Sequence, residues 1–223
     1  MNTQQLKVRI TFTEQLLASA SGNPELHEEF IAARVANDRS KTLAQQQENS
    51  GEEVAVAQSV AEVVEKTSTI FHRDETGLFL WDYQWRGFFK ERIGTLCELG
   101  EMKHISKWTY KRVVDQALFV SPRRIYLTSE GAAVKKPDGT LQRPLRASTM
   151  QGDRVALARS EYVDAGTQCE FTVKLLITSN AKSAWRDLDS ELVRSCLDMG
   201  QNSGHGQWRG GGYGRFTWEE VKA

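Results

Sequence analysis

Long apolar runs are missing from this chain: nothing in it approaches the ~20 consecutive apolar residues of a membrane-crossing helix. The opening stretch, MNTQQLKVRITFTEQLL, alternates apolar and polar residues where a secretory leader would carry a solid apolar block. A cytoplasmic protein without membrane contact is therefore expected. Cysteine is scarce: Cys97, Cys169 and Cys196 are odd in number and far apart. That argues against a disulfide frame or a zinc knuckle and suits reduced, partly buried thiols. No paired carboxylates or Cys/His spacings suggest a metal, and no GxxxxGK[ST] phosphate loop occurs. No metal and no cofactor are expected. Net charge is lacking too, since 29 basic residues balance 29 acidic ones, which disfavours a general coater of DNA.

What is present is globular. Of the 223 residues, 39% are apolar and 26% charged, enough to bury a core and too apolar for a disordered chain. The charges are unevenly placed. Residues 1–66 carry six Lys/Arg against ten Asp/Glu (−4), whereas residues 86–146 carry thirteen against six (+7). One half can face a polyanion while the other keeps the molecule soluble.

Leu6, Val8, Ile10 and Phe12 alternate with Lys7, Arg9, Thr11 and Thr13, the pattern of a half-buried strand. Asn23 and Pro24 then cap a helix with Leu26 and Phe30 on one face. From Thr42 to Glu53 the chain is polar and reads as an exposed insertion, followed by a short Val/Ala-rich helix to about Glu65. TSTIFHR and LFLW read as strands joined by the turn DETG. A helix begins near Asp82, with Trp85, Phe89, Ile93 and Leu96 as its buried stripe and Arg86, Lys90 and Glu91 opposite; Gly100 ends it. KHISKWTYKR is read as a further helical turn or two. The basic stretch after Pro122 surrounds a Pro137-Asp138-Gly139 turn and reads as a projecting hairpin. LARSEYVDAGTQCEFTVKLLI supplies two strands, the second with Cys169, Phe171, Val173, Leu175 and Ile177 on one face. Asp189 caps a last helix, with Leu192, Val193, Cys196 and Leu197 inward and Gly200 as the expected stop.

GHGQWRGGGYGRF, Gly204 to Phe216, follows that helix and leads into a strand through RFTW. Nucleotide loops run strand, glycines, helix, so the order here is reversed, and Arg209 stands where a dinucleotide fingerprint needs its third glycine. A hairpin or a frayed tail would also use glycine. Trp208, Arg209, Tyr213 and Arg215 point elsewhere: arginine offers bidentate donors to phosphate, and aromatics stack on unpaired bases. Gly206, Gly210, Gly211 and Gly212 would let the backbone approach closely. Lys107 and Trp108 in KHISKW, with Lys135 and Lys136 beside the hairpin turn, join the candidate RNA contacts.

The order strand, helix, two strands, helix, strand is βαββαβ. The expected fold is thus α+β, a ferredoxin-like, RNA-recognition-motif core with helical and hairpin insertions and a C-terminal glycine-rich loop. Three stretches resemble the RAMP superfamily, the RNA-recognition-like proteins of CRISPR systems, and its guide-RNA-cradling backbone subunits above all. QWRGGGYGRF is similar to that family's glycine-rich loop, YVDAGTQCEFTVKLL to its Ala-Gly-Thr strand, and WRGFFKERI to its first helix. Two places depart from the pattern. Trp81-Asp82-Tyr83-Gln84 stands where the family opens that helix with Pro-Gly-Ser-Ser. Asp38, the one aspartate before His72, is not given the family's cleaving role.

The resemblance implies a single RAMP-like domain over residues 1–223, with insertions at about 21–66 (acidic, helical) and about 121–160 (basic, thumb-like). It also implies that Arg86, Lys90, Arg209, Tyr213 and Arg215, with the intervening glycines, touch guide RNA. The partners implied are single-stranded guide RNA, copies of the chain stacked head-to-tail along it, and other effector-complex subunits. Two other readings stand beside this binding role. One is an endoribonuclease of the same superfamily, with His205 or His104 as general base and Arg209 steadying the transition state. The other is a viral mimic that joins and blocks a defence complex through its acidic insertion.

Overall fold

The computed structural model describes residues 2–21, 68–149, 152–178 and 184–221. The helix expected from Asn23, Asp38, the polar stretch from Thr42 to Glu53 and the helix to Glu65 lie outside the described residues.

The alternation at the N-terminus forms strand β1 (Asn2–Phe12), which buries Leu6, Val8, Ile10 and Phe12. It lies between two antiparallel partners, β13 (Phe216–Glu220) and β12 (Gln168–Ile177), in registers Ile10↔Trp218 and Ile10↔Cys169. On its far side β12 meets β7 (Leu118–Ser121) and β8 (Arg124–Ser129), one strand's path interrupted at Pro122. The sheet continues from β8 through β6 (Leu78–Trp81) to β5 (His72–Arg73), all antiparallel. β9 (Ala132–Ala133) extends β8 locally.

Helices α1 (Asp82–Leu99), α2 (Tyr110–Ala117) and α3 (Ser190–Ser203) cover one face of this sheet and share one core with it. The central order β13–β1–β12–β7/β8, with α1 after β1 and α3 after β12, makes an α+β fold with a ferredoxin-like core. Among the described residues, no helix is long and apolar enough to cross a membrane.

Local chemistry explains the helices. In α1, Gln84 Oε1 accepts the backbone N–H of Trp81 at 2.8 Å, satisfying a donor at the helix start. Trp85, Phe88, Phe89, Ile93 and Leu96 are buried, and Gly100 closes the helix at φ 78°. In α3, Asp189 Oδ1 accepts from the Leu192 N–H at 2.8 Å. Gly200 does not stop α3, contrary to expectation. It is a contact point, since a Cβ there would lie 2.2 Å from the Phe88 ring. Termination falls to Gly204 at φ 72°. The segment KHISKWTYKR is mostly a loop, with the helix beginning only at Tyr110.

A second sheet holds the inserted hairpin, β10 (Gly139–Thr149) and β11 (Gly152–Val163). β2 (Leu16–Leu17) and β4 (Ser68–Ile70) pair with β11, and β3 (Ala20–Ser21) with β4, so the hairpin is rooted in structure. The stretch expected to project, about 121–160, divides: Arg124–Ser129 pairs within the core sheet, and the hairpin begins at Gly139. Pro137-Asp138-Gly139 forms the hairpin's root, not its tip. Asp138 donates its N–H to the Tyr162 carbonyl at 2.9 Å and accepts the Asp164 N–H at 2.8 Å. The three cysteines are free thiols; burial pushes those of Cys169 and Cys196 well up, so both are protonated and inert.

Candidate nucleic-acid interface

The glycine stretch is an ordered loop pinned at both ends. His205 N–H donates to the Gly214 carbonyl at 2.9 Å, closing the loop at its neck. Gly214 N–H reaches the Gln15 carbonyl at 2.8 Å, and Thr13 N–H reaches that of Arg215 at 2.9 Å, tying the neck to the end of β1. Within the loop a single 3-10 turn, Arg209–Gly211, forms as Gly211 and Gly212 donate to the carbonyls of Trp208 and Arg209, each at 2.9 Å.

The N–H groups of Gly211, Gly212 and Gly214 are thus spent inside the protein. This revises the picture of glycines baring backbone to a ligand. Most are needed for packing instead. A Cβ on Gly214 would lie 1.9 Å from the His205 carbonyl oxygen, and one on Gly206 would lie 2.8 Å from that of Leu17. Gly210 alone in the 3-10 turn faces open space.

Close packing of the glycines pushes side chains outward. Trp208 is held at φ 50°, a left-handed conformation that costs a non-glycine residue about 1–2 kcal/mol. Its indole stacks on Tyr213 with centroids 4.9 Å apart and planes 16° from parallel. Arg143, from β10 of the hairpin, lays its guanidinium 4.5 Å from the centre of the same indole. Two of that guanidinium's donors, Nε and Nη1, are enclosed and have no partner, and burial holds its pKa below the ordinary arginine value. Arg215 is exposed beside them. Glu14, Gln15, Gly210, Gly211, Gly212, Tyr213 and Arg215 line a cavity of about 530 Å³ at this point.

Gly211 is the residue that lets the indole lie flat, because a Cβ there would sit 2.7 Å from the Trp208 ring. Gly211→Val is expected to break the Trp208–Tyr213 stack and remove near-UV circular dichroism intensity. An unchanged near-UV spectrum would refute this packing role.

On its other side the loop faces α1. Arg209 donates to Glu91 at 2.8 Å, and with Gln84, Gly87, Phe88, His205 and Gly206 it borders a cavity of about 220 Å³. Arg86 and Lys90 lie on a different face of the helix, where both pair with Asp115 of α2. Burial alone would raise the Asp115 carboxyl, but the hydrogen bonds and charges of Lys90 and Arg86 outweigh it and leave its pKa lowered. The two residues expected from the first helix therefore do not converge with the glycine loop. Lys107 and Trp108 stand apart as well, in the loop between α1 and α2, with the ammonium 5.2 Å from the centre of an 84%-exposed indole. Lys135 and Lys136 are exposed between β9 and β10. Arg143 was the contributor missed in the sequence: a basic residue in a strand gives no sign of which loop it will cover.

His205 does not suit the nuclease reading. His205 is buried, stacked face to face on Trp85 at 4.1 Å and 1°. Burial, followed by the charge of Arg209, pushes its pKa down to about 3. It is a neutral packing group whose ring face is covered by the Trp85 indole. His104 is bound through Nδ1 to Asp187 at 2.6 Å, and Asp187 also accepts the backbone N–H groups of His104 and Ile105. That knot borders a cavity of about 650 Å³ with Leu96 and Leu99, at the opposite end of α1 from Arg209. Among the described residues, no group of three or more His, Cys, Asp or Glu is placed to hold a metal.

The sheet face turned away from the helices is polar in its middle. Arg9 sits between Glu170 and Glu219, 2.6 Å from each, and Lys7 adds a contact to Glu170 at 3.2 Å. The Arg9 hydrogen bond, with help from Lys7, holds the Glu170 carboxyl below its usual range. On this face Arg9 and Lys7 are committed to carboxylates.

The molecule is thus an α+β protein whose ferredoxin-like core presents an ordered aromatic and arginine loop. No protein-family model matches the sequence, and no curated protein matches it. A chain of a solved Type IV-B CRISPR complex is similar at a TM-score of 0.43 and 10% identity, covering 99% of this chain and 91% of that one.

Proposed function

We propose that this chain is a single-stranded RNA-binding subunit that grips RNA at the Gly204–Phe216 loop. The observation that carries the reading is the Arg143–Trp208–Tyr213 stack beside exposed Arg215, over a cavity bordered by Gly210–Gly212. Partly exposed rings can take unpaired bases, and the exposed Arg215 guanidinium can take phosphate oxygens. The sequence resemblance to RAMP backbone subunits supports the same role, and with it guide RNA as ligand, head-to-tail copies along it, and other effector subunits as partners. Arg209 would join the RNA by exchanging its bond to Glu91 for one to phosphate.

Binding of a fluorescent 12-nucleotide oligouridine, measured by anisotropy across salt concentrations, tests this. Affinity is expected to exceed that for duplex DNA and to fall linearly in log–log form with salt. Arg215→Ala is expected to weaken binding about tenfold on every RNA sequence and lower the salt slope by about 1. Equal affinity for duplex DNA, or a flat salt response, overturns the proposal.

A further inference from the structure

At the β5–β6–β8 edge, the polar centre of the helix-free sheet face gives way to rings. The register places His72 opposite Phe79, Phe79 opposite Tyr126, and Trp81 opposite Arg124. Thr128, two residues beyond Tyr126, pairs with Gln168, so this set shares the face of Gln168 and Glu170, away from the helices. The rings touch: His72 stacks on Phe79 at 5.9 Å, Phe79 meets Trp81 edge-on at 5.0 Å, and Trp81 stacks on Tyr83 at 6.3 Å and 17°. Two arginines lie over them. Arg123 is 5.4 Å from the Trp81 ring centre, and Arg124 is 5.4 Å from that of Phe79.

We infer that this patch is a second binding surface for unpaired nucleotides, distinct from the glycine loop and independent of it. Trp81 and Tyr83 form a near-parallel column whose outer member is 51% exposed, so a base added on Tyr83 would extend a stack already begun. Arg123 supplies the phosphate contact. Its side chain is 74% exposed, and its nearest carboxylate, Asp82, is 3.9 Å away, beyond hydrogen-bond reach. Arg124 is committed: it donates to Asp74 at 2.8 Å, as the Tyr126 hydroxyl does, and those bonds fix the floor under the stack. The Tyr126 bond comes first in holding the Asp74 carboxyl below its usual range.

The test is photocrosslinking of the full chain to a 12-nucleotide oligouridine carrying 4-thiouridine, with the adducts mapped by mass spectrometry. Adducts are expected on the segment containing Trp81 and Tyr83, and they should persist in Arg215→Ala. The double variant Tyr83→Ala/Arg123→Ala should lose them and bind the oligomer about tenfold more weakly. Both side chains are exposed, so its melting temperature should match that of the parent. Adducts confined to residues 204–216 overturn this inference while leaving the glycine-loop proposal standing, and absence of adducts at both places counts against both. A double variant that keeps its affinity but changes its self-association identifies the patch as a protein contact and also overturns the inference.

Discussion

Gly214→Ala is expected to destabilise the protein by about 3 kcal/mol, roughly 6–12 °C in melting temperature for a chain of this size. Two costs combine. Gly214 sits at φ 69°, in the left-handed region that disfavours any Cβ. The added carbon would also lie 1.9 Å from the His205 carbonyl oxygen and 3.1 Å from its nitrogen. Those atoms are backbone, on the rung that closes the loop, and cannot swing aside as a side chain would. Gly210→Ala is the control, because nothing lies within 4 Å of its Cβ and its φ is not positive; a change within about 0.5 kcal/mol is expected. Equal melting temperatures for the two variants would show that the loop is not closed as described. RNA affinity of Gly214→Ala should fall with the loop's order, while Gly210→Ala reports contact with ligand alone.

Acidification from pH 7 to 5 is expected to remove about 2 kcal/mol of stability through His205 alone, at about 1.4 kcal/mol per pH unit below its unfolded pKa. In the fold this imidazole is buried against Trp85 and titrates at about 3, against 6.5 when unfolded. Between those values the unfolded chain binds a proton that the native state refuses. The stabilisation is therefore complete above pH 6.5 and is lost progressively as the pH falls toward 3. The carboxylates with lowered pKa values, Asp74, Asp115, Glu170 and Asp187, lose their contributions only below their ordinary values near 4, so the two windows separate. Urea denaturation at pH 7, 6 and 5 checks this on the parent and on His205→Phe, which keeps a ring on Trp85 and has no proton to gain. The parent should lose stability more steeply with acid than the variant. Parallel curves would mean that His205 is reached by water.

These two residues show where reading the sequence succeeds and where it ends. The period-2 run from Leu6 to Phe12, the stripe Trp85–Phe89–Ile93–Leu96, the Asp189 cap and the Gly100 stop were all legible, because each is decided within a few neighbouring residues. The order of those elements was enough to suggest the ferredoxin-like core. The glycine stretch was legible as a loop leading into a strand, and its aromatic and arginine content as side chains turned outward. What each glycine is for was not legible. Gly200 makes room for Phe88 and Gly214 for the His205 backbone, and Gly211 lets Trp208 lie flat. Close approach depends on partners that only the packed chain brings near.

The charges divide in the same way. A count of Lys and Arg from residue 86 to 146 is a property of the sequence, but which of them stay available is not. Arg86 and Lys90 share Asp115, Arg209 holds Glu91, and Arg9 is enclosed by Glu170 and Glu219. Arg143 crosses from another sheet to cover Trp208, and Arg123 remains exposed beside Trp81. Composition and periodicity determined that this is a mixed α+β protein with an aromatic, basic C-terminal loop. Tertiary structure alone decided which cations are spent on carboxylates and which still face outward, because ion pairing depends on distance in space and not along the chain.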